Sequence, residues 1–359
     1  MKSFIYIFSV VLVFVCFGFQ LVSGQEIKPG NTNEIKSEMT LNSVNPPIIT
    51  GSVEKLSPKL DSILSKNAKL EIIAEGFVWS EGPLWLPKQN KLLFSDIPRN
   101  SIFQWSEQDG LSLYLDSAGY VGPTTGNDDL VGSNALLLNP KGNLVLCQHG
   151  NRQMARMNAT LDKPASNYIT LVDKYKGKKL NSPNDGVFSK KGDLFFTDPP
   201  YGLPGQGDGP SKELTFQGVY KLSASGDLTL IDDRLNRPNG IGLSPDEKTL
   251  YVSNSDPENP VWTAYTLTEN GNVVNKRLFF DATEFAKKRP NLGLPDGLKI
   301  DNKGNLFATG PGGVYIISPN AELLGFINTG HANGNCAFNA DKSILYITAD
   351  MYLMRINLK

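Results

Sequence analysis

The chain has 359 residues and a formal net charge of −1, with 35 basic and 36 acidic side chains. This near-neutral balance gives no support to the binding of nucleic acid or of an anionic membrane. The sequence contains two histidines and three cysteines, and none of them stands at zinc-ligand spacing. A zinc site built from histidine and cysteine ligands is therefore not expected.

Residues 1–24 have the pattern of a secretory signal peptide. Their only charge is Lys2, an apolar stretch runs from Phe4 to Phe19, and small residues end the segment before Gln25. A membrane span is the alternative, but the apolar stretch is shorter than the roughly 18 to 20 residues that a span needs. We expect export to the periplasm or the medium, with no membrane attachment after cleavage.

Residues 25–65 are polar and include Pro46-Pro47, which indicates a tether or lead-in. Residues 66–359 carry strand patterns throughout. Closed all-β architectures often exceed 200 residues as one unit, so we predict one large domain here. The sequence leaves open whether it is a monomer or a dimer.

Six repeats fill this domain. In each repeat a polar residue stands ten or eleven positions ahead of a short apolar run that follows a turn. The polar residues are Glu81, Asn134, Asn184, Asn239, Asp296 and Asn335. The apolar runs begin at Leu92, Leu144, Leu194, Leu250, Leu306 and Leu345, which are 52, 50, 56, 56 and 39 residues apart. Further strand candidates after these hairpins predict an all-β, six-bladed β-propeller with four antiparallel strands per blade.

The sixth repeat is incomplete at the C-terminus. Only one strand candidate, in YLMRINLK, follows LYITA, which would leave an exposed sheet edge. The apolar segment from Leu70 to Gly76 precedes the first repeat and can supply the missing strand. We therefore predict that this N-terminal strand closes the ring.

Because each polar residue opens the first strand of its repeat, the symmetry of a propeller places all six at one end of the central channel. Glu81 and Asp296 contribute carboxylates, and Asn184 and Asn239 contribute amide oxygens. Such oxygen ligands suit Ca²⁺ best and are acceptable to Mg²⁺, Mn²⁺ or Zn²⁺. The alternative is that Asn-Gly and Asp-Gly pairs merely shape turns.

Two other features are expected at the same end. His149 follows a second strand and is a pocket candidate. A long loop rich in Gly and Pro follows Asp198, and such loops often cover a pocket. No G-x-S-x-G motif occurs, so a serine hydrolase has no support.

In this order, the strings Glu81-Gly82-Pro83, Asn184-Asp185-Gly186, Arg237-Pro238-Asn239-Gly240 and Pro295-Asp296-Gly297 resemble the regucalcin/gluconolactonase family of six-bladed propellers. The likeness runs from about Leu70 to the C-terminus, and FSDIPRNSIFQW and FFTDPPYG look most like its bacterial gluconolactonase branch. Two positions depart from family patterns. Gln148 stands where that branch commonly has Glu, and Ser182 stands where regucalcins have an Arg.

The resemblance implies a hydrolase that opens sugar lactones with a divalent cation. Its implied metal ligands are Glu81, Asn184, Asn239 and Asp296. Asp296 would transfer protons, with His149 as the rival catalytic residue. The implied substrate-binding residues are Asn134, His149, Asn184, Asp185, Tyr201 and Asn335. Alternatives are a metal-dependent phosphotriesterase, a sugar-acid isomerase or epimerase, and a non-catalytic calcium-binding propeller.

Overall fold

The computed structural model describes residues 40–122, 131–207 and 209–359. The predicted signal peptide lies outside these residues. Three strands precede the first repeat: β1 (Asn42–Thr50), β2 (Ser52–Lys55) and β3 (Leu70–Glu75), with a 3₁₀ helix at Pro58–Ser62. No helix in the described ranges combines the length and apolarity needed to cross a membrane.

The repeats form antiparallel sheets, beginning with three that follow one another along the chain. Blade one contains β4 (Ser80–Leu86), β5 (Lys91–Asp96), β6 (Ser101–Ser106) and β7 (Gly110–Asp116). Blade two contains β8 (Ser133–Leu138), β9 (Leu144–Gln148), β10 (Gln153–Met157) and β11 (Tyr168–Val172), and a small hairpin of β12 (Lys174–Tyr175) and β13 (Lys178–Lys179) follows it. Blade three contains β14 (Gly186–Phe188), β15 (Leu194–Asp198), β16 (Gly218–Leu222) and β17 (Leu228–Asp232), with a turn at Pro204–Gly207 in the loop after β15.

The second half of the domain repeats this arrangement. Blade four contains β18 (Pro238–Leu243), β19 (Thr249–Asp256), β20 (Asn259–Leu267) and β21 (Val273–Asp281), followed by helix α1 (Thr283–Lys288). Blade five contains β22 (Leu298–Ile300), β23 (Leu306–Gly310), β24 (Gly313–Ile317) and β25 (Leu323–Asn328). Blade six contains β26 (Asn335–Phe338), β27 (Ile344–Ala349) and β28 (Tyr352–Asn357). The prediction of a six-bladed β-propeller is confirmed.

The N-terminal strand β3 completes blade six, as predicted. It pairs antiparallel with β28, with Ile72 opposite Met354 and Leu70 opposite Ile356. Each strand thereby covers the backbone edge that the other would otherwise expose. The ring is closed by hydrogen bonds between the two ends of the domain.

The core consists of apolar clusters at the six junctions between neighbouring blades of the described structure. At the junction of blades six and one, Phe77 packs edge-on against Phe94 with ring centroids 4.9 Å apart. Trp85 stacks on Tyr346 across the same junction at 5.5 Å. The second strand of each blade buries both faces, so its sequence is an apolar run instead of a simple alternation.

The predicted polar lead-in of residues 25–65 contains two additional strands within its described part. Strand β1 pairs with β3 and β2 pairs with β25, so blades six and five each gain a fifth, outer strand. The chain passes between the two blades at Gly51, whose φ is 57° and where a Cβ would lie 2.2 Å from the Asn328 carbonyl oxygen. Pro46-Pro47 is tolerated in β1 because an outermost strand has one unpaired edge.

Candidate metal and substrate site

The six predicted ring residues begin the innermost strands of their blades, or directly precede them, at one end of the channel. Five of them are at most 4% exposed, and Asp296 is partly exposed. The pairing of the first two strands shifts register directly after Glu81, and the same happens in the segments that contain Asn134 and Asn239. Such bulges redirect a side chain out of the regular alternation. They account for polar side chains at the start of otherwise apolar strands.

Hydroxyl groups on the second strands hold the ring together. Ser95 of blade one donates to the main-chain carbonyl of Asn134 in blade two at 2.8 Å. Thr197 of blade three makes the equivalent bond to the carbonyl of Asn239 in blade four at 2.7 Å. A hydroxyl at the fourth position of the Leu-initiated run therefore fixes the backbone of the next ring residue.

The glycines that follow the ring residues allow close approach between blades. A Cβ on Gly240 would lie 2.3 Å from the Asp296 carbonyl oxygen, and a Cβ on Gly297 would lie 2.0 Å from the Asn335 side chain. Neither glycine has a positive φ. These two Asn-Gly and Asp-Gly pairs occur where neighbouring strands converge on the channel, so close packing between blades accounts for their glycines.

Three carboxylates interact at this end of the channel. Burial raises the pKa of Glu81 to about 7, and repulsion from Asp185 adds to this shift. Burial also raises the pKa of Asp296 well above its ordinary value, with further contributions from Glu81 and Asp185. Burial is again the largest cause of the raised pKa of Asp185. Three carboxylates that repel one another in a largely buried site disfavour full ionisation unless a cation compensates them.

Lys299 provides one positive charge beside this group. Its ammonium donates to Asn335 Oδ1 and to the Leu298 carbonyl oxygen, both at 3.0 Å. The Asn335 amide nitrogen in turn donates to Asp185 Oδ2 at 3.1 Å. Asn335 and Asp185 belong to blades six and three, so this hydrogen bond joins opposite blades of the ring.

Asn239 is oriented by its neighbour Ser255. The Asn239 amide nitrogen donates to Ser255 Oγ at 3.0 Å, and that hydroxyl donates to the Pro295 carbonyl oxygen. With its nitrogen engaged, the amide leaves its oxygen for another partner. On the carboxylate side, the Gly82 N–H donates to Glu81 Oε2 at 2.9 Å.

Tyr201, in the long loop after β15, reaches the same region. It is partly exposed, and burial raises the pKa of its hydroxyl, with a further contribution from the negative charge of Asp296. The Arg237 guanidinium lies 5.9 Å from the centre of the Tyr201 ring. The backbone of Arg237 has a φ of 67°, which non-glycine residues seldom adopt and which is enriched at functional sites.

The same loop packs on His149. His149 is 1% exposed, and a Cβ on Gly202 would lie 2.5 Å from the His149 Cβ. Ser182 fixes the loop by donating to the Pro199 carbonyl oxygen at 2.6 Å and accepting from the Gly202 N–H at 2.9 Å. Ser182, at the position where regucalcins have Arg, therefore anchors this loop against blade three.

Gln148, the other departure from family patterns, makes hydrogen bonds through both its amide nitrogen and its amide oxygen. Its amide nitrogen donates to the Ala118 carbonyl oxygen at 2.7 Å. Its amide oxygen accepts from Asn151 at 3.0 Å and from Gln153 at 2.6 Å. A carboxylate could not make the first of these bonds, so the contacts suit Gln at this position.

The chemistry of the ring fits a divalent cation with a preference for oxygen. No group of three or more His, Cys, Asp or Glu side chains at metal-binding distances occurs within residues 40–122, 131–207 and 209–359. The donor set instead combines the carboxylates of Glu81 and Asp296 with amide oxygens. Within those ranges the buried Oδ1 of Asn134 has no hydrogen-bond partner. An orphaned buried acceptor is costly for a folded protein, and a cation or its hydration water would satisfy it.

Residues 79–350 match the sequence model of the SMP-30/gluconolactonase/LRE-like region. The chain belongs to this family. A gluconolactonase of Zymomonas mobilis is 41% identical over 312 residues, which are 86% of each chain. A solved structure of a gluconolactonase from Xanthomonas campestris has a TM-score of 0.76 at 31% identity and covers 89% of this chain and 99% of that chain. A structure of a calcium-binding protein, regucalcin, from Agrobacterium tumefaciens shares the fold, with a TM-score of 0.59, 16% identity, and coverage of 79% of this chain and 92% of that chain.

Four residues near the site of this SMP-30/gluconolactonase family member were not predicted from sequence. They are Trp79, Arg237, Ser255 and Lys299, of which Trp79 hydrogen-bonds Glu81 through its side chain. Lys299 could have been found from its place three residues after Asp296, at the second position of an innermost strand. Ser255 carries no comparable signal, because its role depends on the Asn239 amide sixteen residues earlier.

Proposed function

We propose that this protein is an enzyme that hydrolyses sugar lactones with the help of one divalent cation, Ca²⁺ being the best fit to an all-oxygen donor set. The observation that carries the proposal is the set of side-chain oxygens at one end of the channel, where the buried Asn134 Oδ1 has no hydrogen-bond partner and Ser255 engages the amide nitrogen of Asn239. Relatives described as gluconolactonases, at 41% and 31% identity over most of the chain, support the substrate class.

Glu81, Asn184, Asn239 and Asp296 would hold the cation. When bound, a divalent cation supplies a Lewis acid that polarises a lactone carbonyl and stabilises the negative charge that develops on it. The hydrogen bond to Ser255 engages the amide nitrogen of Asn239 and leaves its amide oxygen available for the cation. The Gly82 N–H donates to Glu81 Oε2 and fixes the orientation of the carboxylate.

Asp296 is proposed to accept a proton from the attacking water and to return it to the leaving alkoxide of the opened ring. Two observations favour it over His149. Asp296 is partly exposed at the end of the channel, where it can face a bound substrate. His149 is 1% exposed and is packed against Gly202, which assigns it to the pocket wall.

Tyr201 and Arg237 are proposed to form the rim that positions the sugar hydroxyl groups. Tyr201 offers a hydroxyl donor beside Asp296, and the Arg237 guanidinium offers several donors next to the Tyr201 ring. Because Ser182 anchors the loop that carries Tyr201, this rim is pre-organised. Pre-organised polar groups of this kind fix the orientation of a small substrate.

The proposal is tested by acid release from a panel of aldono-1,5-lactones and aldono-1,4-lactones, measured by pH-stat against spontaneous opening. A panel of phosphotriesters is run in parallel under the same metal conditions. We expect turnover of at least one lactone well above background and little turnover of phosphotriesters. Turnover of phosphotriesters alone would show that the protein is a phosphotriesterase and not a lactonase. Turnover of neither panel would favour a non-catalytic calcium-binding protein.

We also propose that the protein is exported from the cytoplasm. Residues 1–24 are expected to be cleaved, which would place the enzyme in the periplasm or the medium. N-terminal sequencing of the mature protein from each cell fraction checks this. A mature chain that begins with Met1 in the cytoplasmic fraction would contradict it.

A further inference from the structure

Lys299 is a cation placed inside the ring instead of at its outer surface. Its ammonium contacts the Asn335 amide oxygen and the Leu298 carbonyl oxygen, each at 3.0 Å. Asn335 links it to the buried carboxylate of Asp185 on the opposite side of the channel, at 3.1 Å. Both acceptors of Lys299 are neutral, so its positive charge is not consumed by a direct ion pair.

The formal charges of this cluster are unequal. Glu81, Asp185 and Asp296 contribute three negative charges, and Lys299 contributes one positive charge, which leaves a net formal charge of −2. A buried group of charges is favoured when its total approaches neutrality. A single divalent cation meets this condition, whereas a monovalent or a trivalent cation does not.

Lys221 makes hydrogen bonds of the same kinds as Lys299 but lies outside the ring. Lys221 donates to the Asn270 carbonyl oxygen at 2.9 Å and to Asn272 Oδ1 at 3.0 Å. Its acceptors are thus of the same two kinds as those of Lys299. Lys221 lies on β16, the third strand of blade three, and its two acceptors precede β21 of blade four. It therefore provides a matched control for the loss of the same hydrogen bonds.

We propose that Lys299 is an internal counter-ion that sets the valence of the ion accepted by the ring at two. This inference rests on the proposed metal site and concerns its selectivity, not the reaction. Without the ammonium, the ring would present three uncompensated carboxylates and would favour a trivalent ion over a divalent ion of the same size. Lys299 is thus a charge-balancing residue, while the carboxylates and amides remain the ligands.

The test measures the affinities of Ca²⁺ and Tb³⁺ by titration calorimetry on metal-stripped protein at one pH and ionic strength. These two ions have similar radii and both prefer oxygen ligands, so the ratio of their affinities reports valence. Four proteins are compared with the wild type: Lys299→Met, Asp185→Asn, the double variant with both changes, and Lys221→Met. Circular dichroism and the melting temperature of each protein establish that it is folded.

The ratio of Tb³⁺ affinity to Ca²⁺ affinity is expected to follow the formal charge of the cluster. Lys299→Met should raise it at least about tenfold, and Asp185→Asn should lower it at least about tenfold, which is the effect of one unit charge about 12 Å from the ion at an effective dielectric constant of about 20. The double variant should return to the wild-type ratio, because its net charge is again −2. Lys221→Met should leave the ratio unchanged.

Unchanged ratios in folded Lys299→Met and Asp185→Asn would overturn the inference while leaving the proposed lactonase intact. If Lys299→Met fails to fold, an unchanged ratio in Asp185→Asn alone would suffice to overturn it. A wild-type protein that hydrolyses lactones but binds neither ion would refute both this inference and the cation in the proposed mechanism.

Discussion

Replacing Glu81 by Gln in the metal-free protein tests whether the ring is a buried, negatively charged site. Burial, with a contribution from Asp185, raises the pKa of Glu81 to about 7 from an ordinary value of 4.5. The folded state therefore binds a proton more tightly than the unfolded chain, and this group's contribution to stability decreases as pH rises from 4.5 to 7. The full change is about 3 kcal/mol, of which about 2 kcal/mol falls between pH 5 and pH 7.5.

The assay is urea unfolding of chelator-treated wild type and Glu81→Gln at pH 5 and at pH 7.5. Gln cannot titrate, so the wild type should lose about 2 kcal/mol more stability than the variant between these two pH values. Because Glu81 also contributes to the raised pKa of Asp296, the difference between the two losses reports Glu81 together with its repulsion of Asp296. Equal losses in both proteins would refute the account of a buried carboxyl cluster.

Three further predictions concern the site and its frame. Asp296→Asn should lower kcat at saturating metal by about 10²-fold to 10⁴-fold, the usual contribution of a general base, and near-normal turnover there would remove Asp296 from the chemistry. Gly297→Ala places a Cβ 2.0 Å from the Asn335 side chain and should reduce stability by about 1 to 3 kcal/mol, whereas Gly209→Ala meets only an ordinary contact at 3.7 Å and serves as the control in thermal melts. Ser182→Ala releases the loop that carries the rim and should raise KM several-fold with a smaller change in kcat, so an unchanged KM would show that the anchor does not affect binding.

The repeat pattern allowed the propeller, its closing strand and the ring of polar residues to be predicted from sequence. The reason is that each four-stranded blade has a residue of the same type at the same position. Six weak sequence patterns at equivalent positions together support one structure. Leu70–Glu75 was identified because an unpaired edge in blade six required a partner. These inferences depend on periodicity and on backbone hydrogen bonding, which the sequence displays directly.

Other parts of the structure depend on contacts between distant segments and left no local signal. Strand β1 is polar and contains Pro46-Pro47, yet it pairs with β3 because that strand still offers an unpaired edge. Lys299 lies in a three-residue strand, and its role emerges only from the position of Asn335 on the next blade. The hydrogen bonds from the Ser95 and Thr197 hydroxyls to the backbone of the next blade were also not predicted. A hydroxyl in an apolar run can equally form a hydrogen bond with its local backbone.

The central claim is that lactone hydrolysis depends on one divalent cation held by the ring. The most direct measurement is the rate of acid release from the best lactone by metal-stripped protein, as Ca²⁺, Mg²⁺, Mn²⁺ or Zn²⁺ is added back in known ratios, with Glu81→Ala as the matched variant. The account predicts that activity disappears on stripping and returns at one ion per chain, and that Glu81→Ala needs a much higher metal concentration. Full activity in the stripped wild-type protein, or the same metal requirement in Glu81→Ala, would contradict it.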